Sequence, residues 1–371
     1  MSPWHAAQIG DPVDSIDTPA LVLDLNAFER NLKRMADALK HKGVRLRAHA
    51  KSHKCPEIAK RQVALGAVGV CCQKISEAAV FVEAGIQDVL VTNQTMSANK
   101  VARLLALAKR ARMGILVDHL QQVAILRQQA QSAQVPLDVY VEVNVGANRC
   151  GAAPGEEVLR LARDIMASPP LRFAGLHCYH GGAQHMRLPD DRRKAIESAS
   201  DIARQMRDTL HEAGIPCDRI TGAGTGTFWL ERDSGIFNEV QAGSYIFMDR
   251  DYSDNQPGPE DLLFEHALFV RTTVMSHPTA ERAIVDAGLK ASSVDSGMPV
   301  VWQRPDLKFL KASDEHGVLQ VAASSTLKLG DALMLVPGHC DPTVNLYDEL
   351  VCVRDGHVEA LWPISARGAL L

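Results

Sequence analysis

At 371 residues the chain exceeds one average domain and has room for a barrel of about 250 residues plus an appended domain. With 46% hydrophobic and 23% charged residues and a net charge of −4, it excludes disorder, a nucleic-acid patch and a sticky membrane face, leaving small molecules as the expected partners. In chain order, "MSPWHAAQIGDPVDS" has neither a basic n-region nor an apolar h-region, and no later run reaches the roughly 20 apolar residues of a span. A cytoplasmic address follows. The cysteines at 55, 71, 72, 150, 178, 217, 340 and 352 show no CxxC spacing, which predicts reduced thiols rather than a disulfide frame or zinc knuckle.

After "DTPALVLDL", eight short apolar runs alternate with amphipathic helical patterns. The runs are "RLRAHAK" ending at Lys51, "VGVCCQ" at Gln73, "DVLVTN" at Asn93, "MGILVD" at Asp118 and "DVYVEVNVG" at Gly146, then "FAGLHCYHG" at Gly181, "RITGAG" at Gly224 and "VQAGSYIFMD" at Asp249. Between them, stretches such as "SANKVARLLALAKRA" and "GEEVLRLARDIMAS" carry apolar residues at spacings of three and four. Eightfold alternation predicts an α/β fold, an eight-stranded parallel (β/α)8 TIM-like barrel. A doubly wound open sheet is second, since no GxGxxG follows the first strand. From about Glu265 the texture becomes short strand-like runs punctuated by Gly, Pro and Asp-Gly. The expected division is therefore a barrel over 18–262 and a mostly β domain over 263–371 together with 1–17.

Barrel chemistry gathers at the carboxyl ends of the strands, so the residues ending the runs form one ring. That ring contains Lys51, Gln73, Asn93, Arg149, Tyr179, His180, His185, Gly222 to Thr225, Gly243 and Ser244. One nucleophilic amine, one arginine and two small-residue stretches, "TGAGTG" and "AGS", suit an anionic aldehyde held as a Schiff base, with its phosphate on backbone N–H groups after strands seven and eight. Pyridoxal 5'-phosphate is the expected cofactor.

Together, "AHAKSHK", "NVGANRCG", "YHGGAQH", "TGAGTG", "QAGSYIFMD" and "PGHCDPT" resemble the D-threonine aldolases, alanine-racemase-like pyridoxal phosphate enzymes of fold type III, over nearly the whole chain. The resemblance implies that Lys51 carries the cofactor covalently and that Arg149 stands near its phenolic oxygen, with Tyr179 beside the ring and His180 close by. Gly224, Thr225, Gly243 and Ser244 hold the phosphate, Gln73 lies in the cofactor site, and Gln241 takes the place of the racemase arginine at the pyridine nitrogen. Cationic neighbours and partial desolvation are expected to lower the proton affinity of Lys51. His49 and His53, alternating with it if the strand continues, either orient the lysine or pack beneath the rim.

The resemblance also gives "GHCDPT" a role. His339 and Asp341, two apart and on one side of an extended segment, are the expected ligands of a divalent cation, Mn²⁺ foremost, with Mg²⁺, Co²⁺ or Zn²⁺ as alternatives. His185 is the expected base, or else a surface loop histidine. The implied reaction is retro-aldol cleavage of D-3-hydroxy amino acids of the D-threonine or D-allo-threonine type to glycine and an aldehyde, by a homodimer. Alternatives are a D-3-hydroxyaspartate aldolase, a metal-dependent D-serine or D-3-hydroxyaspartate dehydratase, and a module that only stores the cofactor.

Overall fold

The first barrel run explains how short apolar segments close into a ring. In the computed structural model, which describes residues 4–371, this run is split into Arg45–Leu46 and Ala48–His49. The first piece pairs in parallel with Glu239–Val240 and the second with Val70–Cys72. One bent strand thus shares its hydrogen bonds between the last strand and the second. Asp88–Val91, Arg112–Val117, Leu137–Glu142, Leu171–Cys178 and Ile220–Gly222 follow in chain order, each parallel to its neighbours. Nine ladder segments therefore occupy eight positions, as the alternation predicts.

The outer helices follow from their patterning. In Glu156–Met166, Val158, Leu159, Leu161, Ala162 and Ile165 are buried, while Glu156 and Glu157 in the first turn and Arg163 in the last complement the helix dipole. Inside the barrel, Cys71, Leu90, Leu116 and Tyr140 form an apolar layer. At the amino ends of the strands Arg47, 2% exposed, binds Glu239, 0% exposed, at 2.9 Å and Asp88 at 2.6 Å. Glu239→Ala strips this buried guanidinium of one partner and is expected to destabilise the fold by about 3 kcal/mol in urea unfolding, with little change at the opposite, carboxyl-end mouth.

Two predicted strands stop early, and the turns that replace them shape the mouth. The eighth ends at Val240, and Ser244–Ile246 is a 3₁₀ turn. The first ends at His49, with Lys51 inside the 3₁₀ turn Ala50–Ser52. His49, Lys51 and His53 therefore do not alternate along a strand.

The second sheet is mostly antiparallel. Leu268–Thr279 pairs with Arg282–Val285, Ala332–Val336 and Ala20–Asp24, and Ala20–Asp24 pairs in parallel with Glu349–Arg354. The N-terminal part of this sheet thus reaches Asp24, so a boundary between residues 17 and 18 separates segments that the β unit holds together. The predicted Asp-Gly turn joins Glu349–Arg354 to His357–Pro363, with Asp355 and Gly356 at φ 48° and 81°, the left-handed pair a tight hairpin needs. Leu25, Phe28, Tyr245, Phe247, Val270 and Leu335 share one apolar cluster, so barrel and sheet are packed together without a linker. Among the described residues, no helix is long and apolar enough to cross a membrane.

Candidate active site

A cavity opens at the carboxyl ends of the barrel strands. Lys51, Gln73, Arg149, Tyr179, Gly224, Thr225, Gln241, Gly243 and Ser244 all line it, from loops nearly two hundred residues apart. So do Thr92, His177 and Tyr252, which the sequence reading passed over. His177 was legible two positions before Tyr179 on the same strand face. Thr92 lines the wall where its neighbour Asn93 is expected; Asn93 instead donates to the Gln73 carbonyl at 3.1 Å. Tyr252 sits on the short helix Arg250–Ser253, beyond any strand-end signal. His180 does not line the cavity; its Nδ1 accepts from the Ala183 N–H at 3.2 Å.

One end of the cavity has the chemistry of an anion site. The Thr225 Oγ1 is buried without a hydrogen-bond partner, a costly arrangement for a hydroxyl unless a ligand completes it. Gly243 precedes the turn Ser244–Ile246, whose start has no side-chain cap. A Cβ on Gly243 would lie 2.6 Å from the His49 carbonyl, and one on Gly224 2.6 Å from Gln184 Oε1, so both positions need close backbone approach. Ala223, immediately before Gly224, holds φ 69°, a strained conformation for a residue with a Cβ. These features fit a phosphate. Gly243→Ala is expected to displace the His49–Lys51 turn and weaken pyridoxal phosphate binding at least tenfold, read by equilibrium dialysis.

At the far wall Gln241 is held at both ends, its Nε2 donating to Thr221 Oγ1 at 2.8 Å and its Oε1 lying 3.2 Å from His177 Nε2. The Arg149 guanidinium stands over the Tyr179 ring at 5.6 Å, a cation–π contact that orients both groups at the rim.

Lys51 Nζ lies 2.7 Å from Asp341 Oδ2, so the strongest influence on the amine is an anion contributed by the β unit. The Asp341 carboxylate holds the ammonium above its ordinary lysine value, reversing the expected depression. Burial opposes the charge on Asp341, but the Lys51 ammonium and His339 outweigh it and hold this carboxyl well below the usual range. His49 and His53 supply no positive charge. Burial, then Lys51, push His49 far below the ordinary imidazole value, and burial pushes His53 down to about 3. His49 nevertheless braces the lysine turn: its Nδ1 accepts from the Lys51 N–H at 3.4 Å and its Nε2 lies 2.9 Å from Thr92 Oγ1. His53 is packing, edge-on to Phe81 at 6.1 Å, with Nδ1 accepting from the Cys55 N–H.

His339 occupies the position just before Cys340–Val344, a short helix that places Asp341 in its first turn rather than on an extended segment. Shared orientation by strand alternation therefore does not apply. The imidazole is held instead through Nδ1, 2.8 Å from Asp295 Oδ2, which leaves Nε2 as the nitrogen free to ligate. Cys340 between them is buried, and burial raises its thiol well above the usual value. An imidazole and an ionised carboxylate fit a divalent cation that keeps open positions. Among the described residues, the three-donor cluster lies elsewhere, at Asp118, Glu142 and Cys150. Gln94 Nε2 already donates to both of its carboxylates. His185 stands outside the cavity lining, its Nδ1 2.7 Å from Asp251 Oδ2 and its ring 5.4 Å from that of Tyr252.

A closed parallel barrel with one amine and a glycine-walled anion cradle at its mouth, approached by a carboxylate from a β unit, defines an enzyme class built around a phosphorylated aldehyde cofactor. The chain belongs to the alanine racemase N-terminal domain family, whose model matches residues 23–251; a serine dehydratase domain model matches 267–353. It is 48% identical over 364 residues to a D-threonine aldolase from Arthrobacter sp, covering 98% of this chain and 96% of that protein. It is 46% identical over 359 residues to a 3-hydroxy-D-aspartate aldolase from Paracoccus denitrificans (strain Pd 1222), covering 95% and 92%. The crystal structure of D-threonine aldolase from Filomicrobium marinum superposes with a TM-score of 0.97 at 48% identity, covering 99% of this chain and all of that one. The protein is an enzyme, a lyase of the aldolase type, and the family implies pyridoxal phosphate.

Proposed function

We propose that this enzyme uses pyridoxal phosphate and a divalent cation, Mn²⁺ foremost, to cleave D-3-hydroxy amino acids of the D-threonine or D-allo-threonine type to glycine and an aldehyde. The observation that carries the reading is the Lys51 amine, facing Asp341 at the mouth of the cavity that also contains the unpartnered Thr225 hydroxyl.

In this reading Lys51 is the attachment point of the cofactor, Thr225, Ser244 and the neighbouring glycine backbone hold its phosphate, and Gln73, Tyr179, Gln241 and Arg149 surround its ring. When bound, pyridoxal phosphate supplies a conjugated ring that takes up electrons from the breaking Cα–Cβ bond. A divalent cation held by His339 and Asp341 supplies a Lewis acid that makes a contacting hydroxyl more acidic. His185 acts as the base for the β-hydroxyl. With Nδ1 engaged by Asp251, its Nε2 is the atom left to accept that proton.

The barrel carries the cofactor, and residues 263–371 with the N-terminal segment carry the metal pair. The reading extends to a cytoplasmic homodimer. Eight free thiols, six of them buried, suit a reducing compartment, and light scattering checks for twice the 40.4 kDa of the chain. The deciding assay incubates D-threonine, D-allo-threonine, D-3-hydroxyaspartate and D-serine with enzyme and Mn²⁺. Glycine and an aldehyde from the threonines support the reading. Production of a keto acid and ammonia alone points to dehydration and ends it, and preference for D-3-hydroxyaspartate moves the substrate assignment to the second relative's activity.

A further inference from the structure

We propose that Asp251 is a positioning residue for His185: one carboxylate, shared with Arg187, fixes the imidazole proton on Nδ1 and keeps Nε2 free to accept a proton. The inference rests on the reading of His185 as the base.

The Asp251 side chain is 8% exposed, and its two oxygens have different duties. Oδ2 lies 2.7 Å from His185 Nδ1. Oδ1 accepts from Arg187 Nη2, while Arg187 Nη1 donates to the Asp251 carbonyl and, at 2.8 Å, to Asn255 Oδ1. An ionised carboxylate only accepts hydrogen bonds, so the facing nitrogen of a neutral imidazole must carry the hydrogen. The lone pair is then on Nε2, and the anion stabilises the imidazolium formed when Nε2 takes up a proton. The ring is seated against Tyr252, which lines the cavity.

The support of Asp251 is tied to the metal motif. Its N–H donates to the Gly338 carbonyl at 3.2 Å, and the Arg250 N–H donates to that of Pro337 at 3.0 Å. The buried Asp249 accepts from the Tyr252 N–H at 3.0 Å and from the Cys340 N–H at 2.8 Å. One carboxylate therefore caps both the helix that bears Asp251 and the helix that bears Asp341. This arrangement holds the orientation of His185 in register with the Lys51–Asp341 pair.

The shared carboxylate yields a test that a merely structural aspartate would not pass. In Asp251→Asn the arginine, which can only donate, claims the amide oxygen. The amide NH₂ is then turned toward His185 Nδ1, which must become an acceptor and move the proton to Nε2. The base is disabled although the packing is retained. We expect kcat to fall on the order of 10³- to 10⁴-fold, with KM changed less than about threefold. Adding Arg187→Met releases the amide to rotate and offer its oxygen to Nδ1–H, so the double variant is expected to recover at least tenfold over Asp251→Asn. Nitrogen-15 NMR of labelled histidine, with the His185 signals assigned by their loss in His185→Gln, reads the tautomer independently of turnover. Protonated Nδ1 in the unsubstituted enzyme, protonated Nε2 in Asp251→Asn and reversion in the double variant support the proposal. An unaltered tautomer, or a double variant no more active than the single one, overturns it even if circular dichroism shows that both are folded. Wild-type activity in His185→Gln would instead end the reading of His185 as the base, and this inference with it.

Discussion

Lys51→Ala and Lys51→Arg are both expected to lose the visible absorption of covalently attached pyridoxal phosphate and to lower kcat on the order of 10⁴-fold or more. The pair of variants separates two roles of the ammonium. Lys51 Nζ neutralises Asp341 at 2.7 Å, so alanine removes both an attachment point and the counter-charge of a carboxylate whose side chain is 13% exposed. Arginine keeps a cation against that carboxylate but is not a usable nucleophile at neutral pH, so a loss in Lys51→Arg belongs to the amine rather than to fold or charge. The neighbouring amine provides the control. Lys54 is turned away by φ 51°, with Nζ 2.9 Å from Asn345 Oδ1 and 3.1 Å from Glu77 Oε1, and it does not line the cavity. Absorption that persists in both Lys51 variants and vanishes in Lys54→Met would assign the attachment to the wrong-facing lysine and defeat the site.

The barrel was legible because its signal repeats. Eight apolar runs separated by helical patterning leave few alternatives, and each strand-end residue inherits a position at the mouth from the topology. That inheritance explains why nine widely separated residues meet in one cavity. It fails where backbone geometry departs from the strand. Lys51 and Ser244 lie in 3₁₀ turns, and His339 stands at the start of a helix, so alternation could not say which way their neighbours point. Electrostatics was less legible still. The sequence surrounds Lys51 with histidines and another lysine, which suggests a depressed amine. Tertiary packing leaves those histidines neutral and brings in Asp341 from a residue 290 positions away. Asp251 and Asp295 escaped notice for the same reason, since each acts through an imidazole distant in the chain.

Removal of the metal pair is expected to separate cofactor attachment from turnover. Asp341→Asn and His339→Ala should keep the visible absorption of the loaded enzyme while lowering kcat on the order of 10³-fold, because the acidity a cation confers on a bound hydroxyl corresponds to several kcal/mol of barrier. For Asp341→Asn the sign at Lys51 runs the same way. Asp341 raises the proton affinity of the amine, so its neutralisation lowers that affinity and leaves more free amine at a given pH, extending cofactor attachment to lower pH rather than impairing it. Asp295→Asn acts one bond further out. Its amide no longer anchors the His339 Nδ1–H as an anion does, and Mn²⁺ affinity, measured by electron paramagnetic resonance, is expected to fall about 10- to 100-fold. Chelation of the unsubstituted enzyme should reproduce the loss in kcat, and added Mn²⁺ should reverse it in the unsubstituted enzyme but not in His339→Ala. Undiminished cleavage after exhaustive chelation would leave His339 and Asp341 without a cation to hold, and would return Asp341 to a single task as the counter-ion of Lys51.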